Sequence, residues 1–262
     1  MWIRCVYRSD MYTASDQANP QRTGTNPQLS PLVSHRAGFL PWTLVTQLAP
    51  EGAADLLEIR AAIEERVLRL FAMISEGLSG ATDAFLSEDR ERARALIAAD
   101  QQVDSLQADI ERLINLELES TVPLTPARTR GLIAILLIVL ELERSGDLVE
   151  HIALRTAQGL AAALTPRARG IVQQMGDEGV QMWRLATAAF AARDALAAER
   201  LRGIDDRLDD LHVSLGAELA QCVISVPVAI EMGLVARFLE RLGDHAVNVA
   251  RRIAELPTGD GA

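Results

Sequence analysis

The chain of 262 residues is 49% hydrophobic but only 4% aromatic and carries a net charge of −10, a balance that suits packed helices and argues against a β-sandwich or barrel. All 26 basic residues are Arg, so a Walker P-loop, a kinase phosphate-binding lysine and a Schiff-base enzyme, each of which needs a Lys amine, are excluded. The acidic balance argues against nucleic acid as the main partner, and two distant cysteines, Cys5 and Cys222, make neither a disulfide framework nor a Cys-rich zinc site, which fits a reducing compartment.

Residues 1–52 scatter Pro20, Pro27, Pro31, Pro41 and Pro50 among Ser, Thr, Asn and Gln without periodicity and read as a mostly disordered extension. Its apolar stretch, Phe39, Leu40, Trp42, Leu44, Val45 and Leu48, is suited to a short helix or to docking on the body. The start lacks the layout of a signal peptide, and the expectation is a cytoplasmic protein. From residue 53 almost everything reads helical, with helices expected near 53–87, 89–120, 126–163, 166–195, 197–223 and 227–256, and a short tail at 258–262. Thr125-Pro126 and Thr165-Pro166 each place a capping hydroxyl before Pro at the first helical position. Leu132 to Leu140 is an unbroken apolar run, far short of the roughly 20 residues a membrane span needs, and reads as the middle of a buried helix. Leu201, Ile204, Leu208, Leu211, Leu215 and Leu219 follow steps of three and four and form a bundle-facing seam.

The chain also resembles itself. The segment LERSGDLVEHIA (Leu142 to Ala153) aligns with LERLGDHAVNVA (Leu239 to Ala250), and Asp100, Asp104 and Leu106 align with Asp205, Asp209 and Leu211. Two copies of a three-helix unit are therefore expected, over 53–163 and 164–257. The extra residues of the first copy fall between its second and third helices, where an insertion is tolerated.

Each copy carries two acidic pairs at i, i+4: Asp100/Asp104 with Glu143/Asp147, and Asp205/Asp209 with Glu240/Asp244. Each pair stands on one helix face, a turn apart. If the faces meet, like charges about 6 Å apart repel by roughly 2–3 kcal/mol at an effective dielectric near 20, so a cation or an Arg must compensate. Two readings stay open here: solvated helix faces neutralised by Arg144 and Arg241, or two sites for Fe, Mn, Mg or Zn, one per unit. His212 continues the line of Asp205 and Asp209. His151 and His245 read as polar surface residues, with an outer-shell role beside the carboxylates as the alternative; His35 lies in the extension. A di-iron oxygenase bundle needs two Glu-x-x-His motifs, and the chain offers only Asp209 to His212. No nucleophile elbow or Cys/His dyad appears, so an enzyme is not expected.

The doubled ERxGD element, with an acidic pair on the preceding helix, resembles the PhoU family of phosphate-transport regulatory proteins, and Pro227, Arg237 and LERLGDHAVNVARRI resemble the family's closing segment. The resemblance implies an all-α fold of two tandem three-helix bundles, six long helices related by a pseudo-twofold, and metal clusters on Asp100, Asp104, Glu143, Asp147, Asp205, Asp209, Glu240 and Asp244. It implies a non-catalytic cytoplasmic regulator, a homodimer, that links the ATPase subunit of the phosphate ABC transporter to a sensor histidine kinase and restrains the phosphate-starvation response, touching the membrane only through its partners. The alternatives are a helical protein with a metal storage or redox role, and a metal-free interaction scaffold. The chain departs from the family pattern at Arg128-Thr129-Arg130, where members usually carry Asp-Leu-Arg, and in its N-terminal extension.

Overall fold

Helix ends fall where the sequence supplies caps. In the computed structural model, which describes residues 53–257, the helices are α1 (Ala53–Ser87), α2 (Arg90–Leu118), α3 (Pro126–Thr156), α4 (Pro166–Ala192), α5 (Ala197–Gln221) and α6 (Val226–Ile253), with no strand among the described residues. The N-terminal extension with Cys5, His35 and Phe39 to Leu48, and the tail at 258–262, lie outside the described residues. Thr125 and Thr165 cap α3 and α4 as expected, accepting from the backbone N–H of Arg128 at 3.1 Å and of Ala168 at 3.0 Å. Asp89 stands outside α2 as its N-cap and accepts from Glu91 and Arg92 N–H.

Five helices end earlier than periodicity suggested. Apolar and small residues continue past Thr156, but Gly159 adopts φ 64°, and Leu160–Ala163 becomes a separate 3₁₀ turn whose Ala162 N–H donates to Glu88 Oε1 at 2.7 Å. α4 stops at Ala192 because Arg193 turns left-handed (φ 53°), and α2, α5 and α6 stop two or three residues short of expectation. Arg193 has a counterpart in Glu88 (φ 58°), which closes α1. In both places the next residue's N–H bonds back to a helix carbonyl at 2.9 Å, Asp89 to Ala84 and Asp194 to Ala189. The repeat therefore extends to a left-handed turn that the sequence does not mark with Gly.

α1, α2 and α3 pack on one another, as do α4, α5 and α6; between the triplets, α1 lies on α4 and α3 on α6. α1 and α3 thus each meet their own counterpart across the pseudo-twofold, leaving α2 and α5 on the outside. The α1–α4 seam is antiparallel and apolar: Phe71 lies 5.4 Å from Phe190 and 6.2 Å from Trp183, centroid to centroid, all three fully buried. Gly176 and Gly179 allow the close approach, since a Cβ at Gly176 would stand 2.5 Å from Thr82 Cγ2.

Arg128, in the stretch where the resemblance leads to Asp-Leu-Arg, is buried and grips Glu117 of α2 in a bidentate pair (2.7 and 2.6 Å), while Arg60 of α1 reaches the same carboxylate at 2.8 Å. Burial pushes the Glu117 carboxyl up, but the two guanidinium groups outweigh it and hold the carboxyl below its usual range. One carboxylate thereby fastens the ends of α1, α2 and α3 together.

Candidate functional site: two carboxylate clefts

The ERxGD glycines decide how the acidic pairs meet. On α3, a Cβ at Gly146 would stand 3.2 Å from Val103 Cγ1 and 3.5 Å from Asp100 Oδ1; on α6, a Cβ at Gly243 would stand 2.6 Å from Leu208 Cδ2 and 2.8 Å from Asp205 Oδ1. Val103 and Leu208 are repeat counterparts, as are Asp100 and Asp205. In each copy the glycine therefore seats the outer helix so that its first Asp reaches over the partner helix.

In the first cleft Asp100, Asp147 and Glu150 each offer an oxygen, and these oxygens all lie within 4.8 Å of one another. All three residues are half-buried, as are Asp104 and Glu143 on the same two helices. Asp104 and Glu143 stand outside that trio. Glu150 escaped the sequence reading because the candidate acids were found by repetition, and the second copy has Val247 at that position; its signal was the i, i+3 spacing from Asp147. Arg144, a sequence candidate for neutralising this cluster, approaches Glu141 at 3.6 Å.

In the second cleft the four predicted acids share one electrostatic environment. Burial, then the charges of Asp244, Asp209, Glu240 and Asp206, push the Asp205 carboxyl up to about 6. Glu240, almost fully buried, is raised by burial first and then by Asp244 and Asp209, against the opposing charges of Arg237 and His212. Its Oε1 accepts from Arg237 Nη1, and its Oε2 is buried without a hydrogen-bond partner. Asp209 and Asp244 are exposed and form the mouth.

His245 corrects an expectation. It is not a surface residue: only 4% exposed, it faces the antiparallel α3–α6 seam, where Nδ1 lies 3.0 Å from Ser145 Oγ and Nε2 lies 3.8 Å from Glu141 Oε2. Burial, then Arg144 and Arg241, depress it to about 4, so it is neutral at neutral pH. His151, half-buried on the same seam, stacks on Phe238 at 5.4 Å rather than lying free on the surface, and Arg155 lies over the same ring while pairing with Glu231 at 2.9 Å. This seam is polar where the α1–α4 seam is apolar. No helix among the described residues is long and apolar enough to cross a membrane.

Comparison with known proteins places this geometry. A family model described as the PhoU domain matches twice, over residues 67–156 and 172–253. The phosphate-specific transport system accessory protein PhoU homolog 2 of Mycobacterium tuberculosis is 29% identical over 211 residues, covering 77% of this chain and 99% of that protein. A PhoU homolog of Deinococcus radiodurans is 30% identical over 207 residues, 76% of this chain and 94% of that one. The crystal structure of PhoU from Pseudomonas aeruginosa superposes with a TM-score of 0.67 at 25% identity, over 76% of this chain and 95% of that chain. The phosphate transport system regulatory protein PhoU from Streptococcus pneumoniae gives 0.65 at 26% identity, over 79% and 98%.

Proposed function

Because the chain belongs to the PhoU family, we propose that it is an accessory regulator of phosphate transport that holds down the phosphate-starvation response when phosphate is ample. The observation that carries this reading is the match of the family model to both halves, together with relatives that align over nearly their whole length. The protein works in the cytoplasm as a non-catalytic adaptor between the ATPase subunit of the phosphate ABC transporter and a sensor histidine kinase, as a homodimer. Information passes by binding, which requires different affinities for the partners' alternative states. Two three-helix units, residues 53–163 and 164–257, each contribute one cleft.

Metal ions belong to the same reading. Asp100, Asp104, Glu143 and Asp147, with Glu150 added, would hold one centre; Asp205, Asp209, Glu240 and Asp244 would hold the other. The residues fit such a group: the donors are hard oxygens, the like charges repel, and the buried Oε2 of Glu240 has no protein partner. A bound Fe, Mn, Mg or Zn ion would neutralise the clefts and tie the outer helices α2 and α5 to α3 and α6. The competing reading, metal storage or redox, rests on the same clefts and is separated from regulation by the genetics.

Secreted alkaline phosphatase activity in phosphate-rich medium tests the regulatory reading, in the parent strain, a strain deleted for this gene and the deletion complemented with residues 50–262. High activity in the deletion, restored to low by the complementing copy, is the expected result. Low activity in every strain would overturn the reading.

A further inference from the structure

The open side of the α1–α4 seam carries a groove apart from the carboxylate clefts. Two adjoining hollows, of about 580 and 480 Å³, share Ser79 of α1 and Arg184 of α4, a size suited to a small ligand. The larger also takes in Ser75 and Glu76 of α1 and Arg92 of α2. Ser75 is only 8% exposed. Thr82 and Ser87, farther along α1, turn their hydroxyls back onto the carbonyl four residues earlier. Among the described residues, by contrast, Ser75 and Ser79 have no hydrogen-bond partner, and neither Arg184 nor Glu76 has an ion pair. A nearly buried hydroxyl in that position leaves its donor to whatever fills the hollow. Gly80 lets Arg92 in: a Cβ there would stand 3.3 Å from Leu96 Cδ2 and 3.6 Å from Arg92 Nε, so the guanidinium lies against α1 one residue beyond Ser79. Its own pairing is loose, 3.5 Å to Asp83 with both side chains about half exposed.

We propose that this groove binds one small phosphoryl oxyanion, an inorganic phosphate or a phosphate monoester, between the Arg184 and Arg92 guanidinium groups, with the Ser75 and Ser79 hydroxyls donating to its remaining oxygens. Guanidinium groups present their donors in a fork that matches phosphate geometry. In the larger hollow two Arg face one carboxylate, a net positive island on a chain of net charge −10. Glu76 sets the limit on the ligand: it repels a second phosphoryl group, so a single one is favoured over a polyphosphate. Asp177 borders only the smaller hollow and accepts from Gln173 Nε2 at 3.0 Å. Neither arginine is repeated. The register that matches Glu88 with Arg193 matches Ser79 with Arg184 and Arg92 with Ala197, so the chain has one such site, built across the pseudo-twofold rather than once in each half. The inference depends on neither the metal clefts nor the regulatory reading.

Equilibrium dialysis of the metal-stripped full chain, freed of chelator, against radiolabelled inorganic phosphate and separately against radiolabelled glycerol phosphate tests this. The proteins are the parent, Arg184→Gln, Arg92→Gln, Glu76→Gln and, as a control exposed on α3, Arg144→Gln, each checked for an intact helical melt. The parent is expected to bind one ligand per chain. Loss of either groove arginine should weaken binding about tenfold, the order of one charge-assisted contact. Glu76→Gln should tighten it severalfold, and Arg144→Gln should bind like the parent, which separates the groove from a mere loss of net charge. Tighter binding of glycerol phosphate assigns the site to a monoester and tighter binding of inorganic phosphate to the free ion, and either supports it. Neither ligand bound at millimolar concentration, binding that ignores both groove arginines, or binding that Arg144→Gln weakens as much as they do would overturn the inference. The regulatory reading would be untouched, because the alkaline phosphatase comparison decides it.

Discussion

Gly243→Ala, with Gly146→Ala as its internal control, tests whether the ERxGD glycine is there for close approach. A methyl group at 243 would meet Leu208 Cδ2 at 2.6 Å, Asp205 Oδ1 at 2.8 Å and Met182 Sδ at 3.3 Å; Leu208 and Met182 are fully buried and have no open space to yield into. Two approaches under 3.0 Å put the overpacking cost in the upper part of its range, about 2–3 kcal/mol, and Ala recovers about 1 kcal/mol over Gly in a helix interior, leaving a net loss of about 1–2 kcal/mol. For a body of this size that lowers Tm by about 2–8 °C. At 146 the nearest atoms would be Val103 Cγ1 at 3.2 Å, Asp100 Oδ1 at 3.5 Å and Ile74 Cδ1 at 3.6 Å. There the two effects roughly cancel, and Tm should stay within about 2 °C of the parent. Thermal unfolding followed by far-UV circular dichroism, in chelator so that metal does not enter, reads both. A Gly243→Ala protein as stable as Gly146→Ala would refute the packing argument.

Glu117→Gln should lower stability by about 3 kcal/mol, because it leaves the buried Arg128 without its counter-charge, whereas Arg60→Ala, at the more exposed side of the triad, should cost under about 1 kcal/mol; urea unfolding of the two variants decides it. His245, at about 4 in the folded protein against an ordinary 6.5, makes the unfolded state the better proton binder between those values, so stability should fall as pH drops from about 6.5 to 4, by up to about 3 kcal/mol. His245→Gln should flatten that part of the pH–stability curve of metal-free protein; an unchanged slope would count against a buried neutral imidazole. Asp205 titrates the other way: raised to about 6, its contribution is lost as pH rises through that value. Asp205→Asn should accordingly raise the stability of the metal-free protein at pH 7.5 by about 1–2 kcal/mol while reducing the gain in Tm on adding Mn²⁺, both read by calorimetry.

The sequence by itself determined the six helices, the caps at Thr125 and Thr165, the doubling of the unit and the four acids of the second cleft, because helical periodicity, capping chemistry and repetition are all written along one stretch of chain. Helix ends were unevenly legible: α1 stops at Ser87 as expected, whereas α3 stops at Thr156, ahead of the left-handed Gly159, and α4 at Ala192, where Arg193 turns left-handed, because hydrophobic periodicity runs on past both turns. Only the tertiary structure decided what depends on two helices meeting. Glu150 joins Asp100 and Asp147 across the α2–α3 contact, Arg128 finds Glu117 and Arg60 on two other helices, and His245 is buried because α6 lies on α3. The repeat pointed to matching clefts, but the first has Glu150 where the second has Val247, and only packing brings that carboxylate to Asp100. Burial and charge pairing are properties of surfaces brought together, and a residue's place in a repeat does not fix which neighbour it will face.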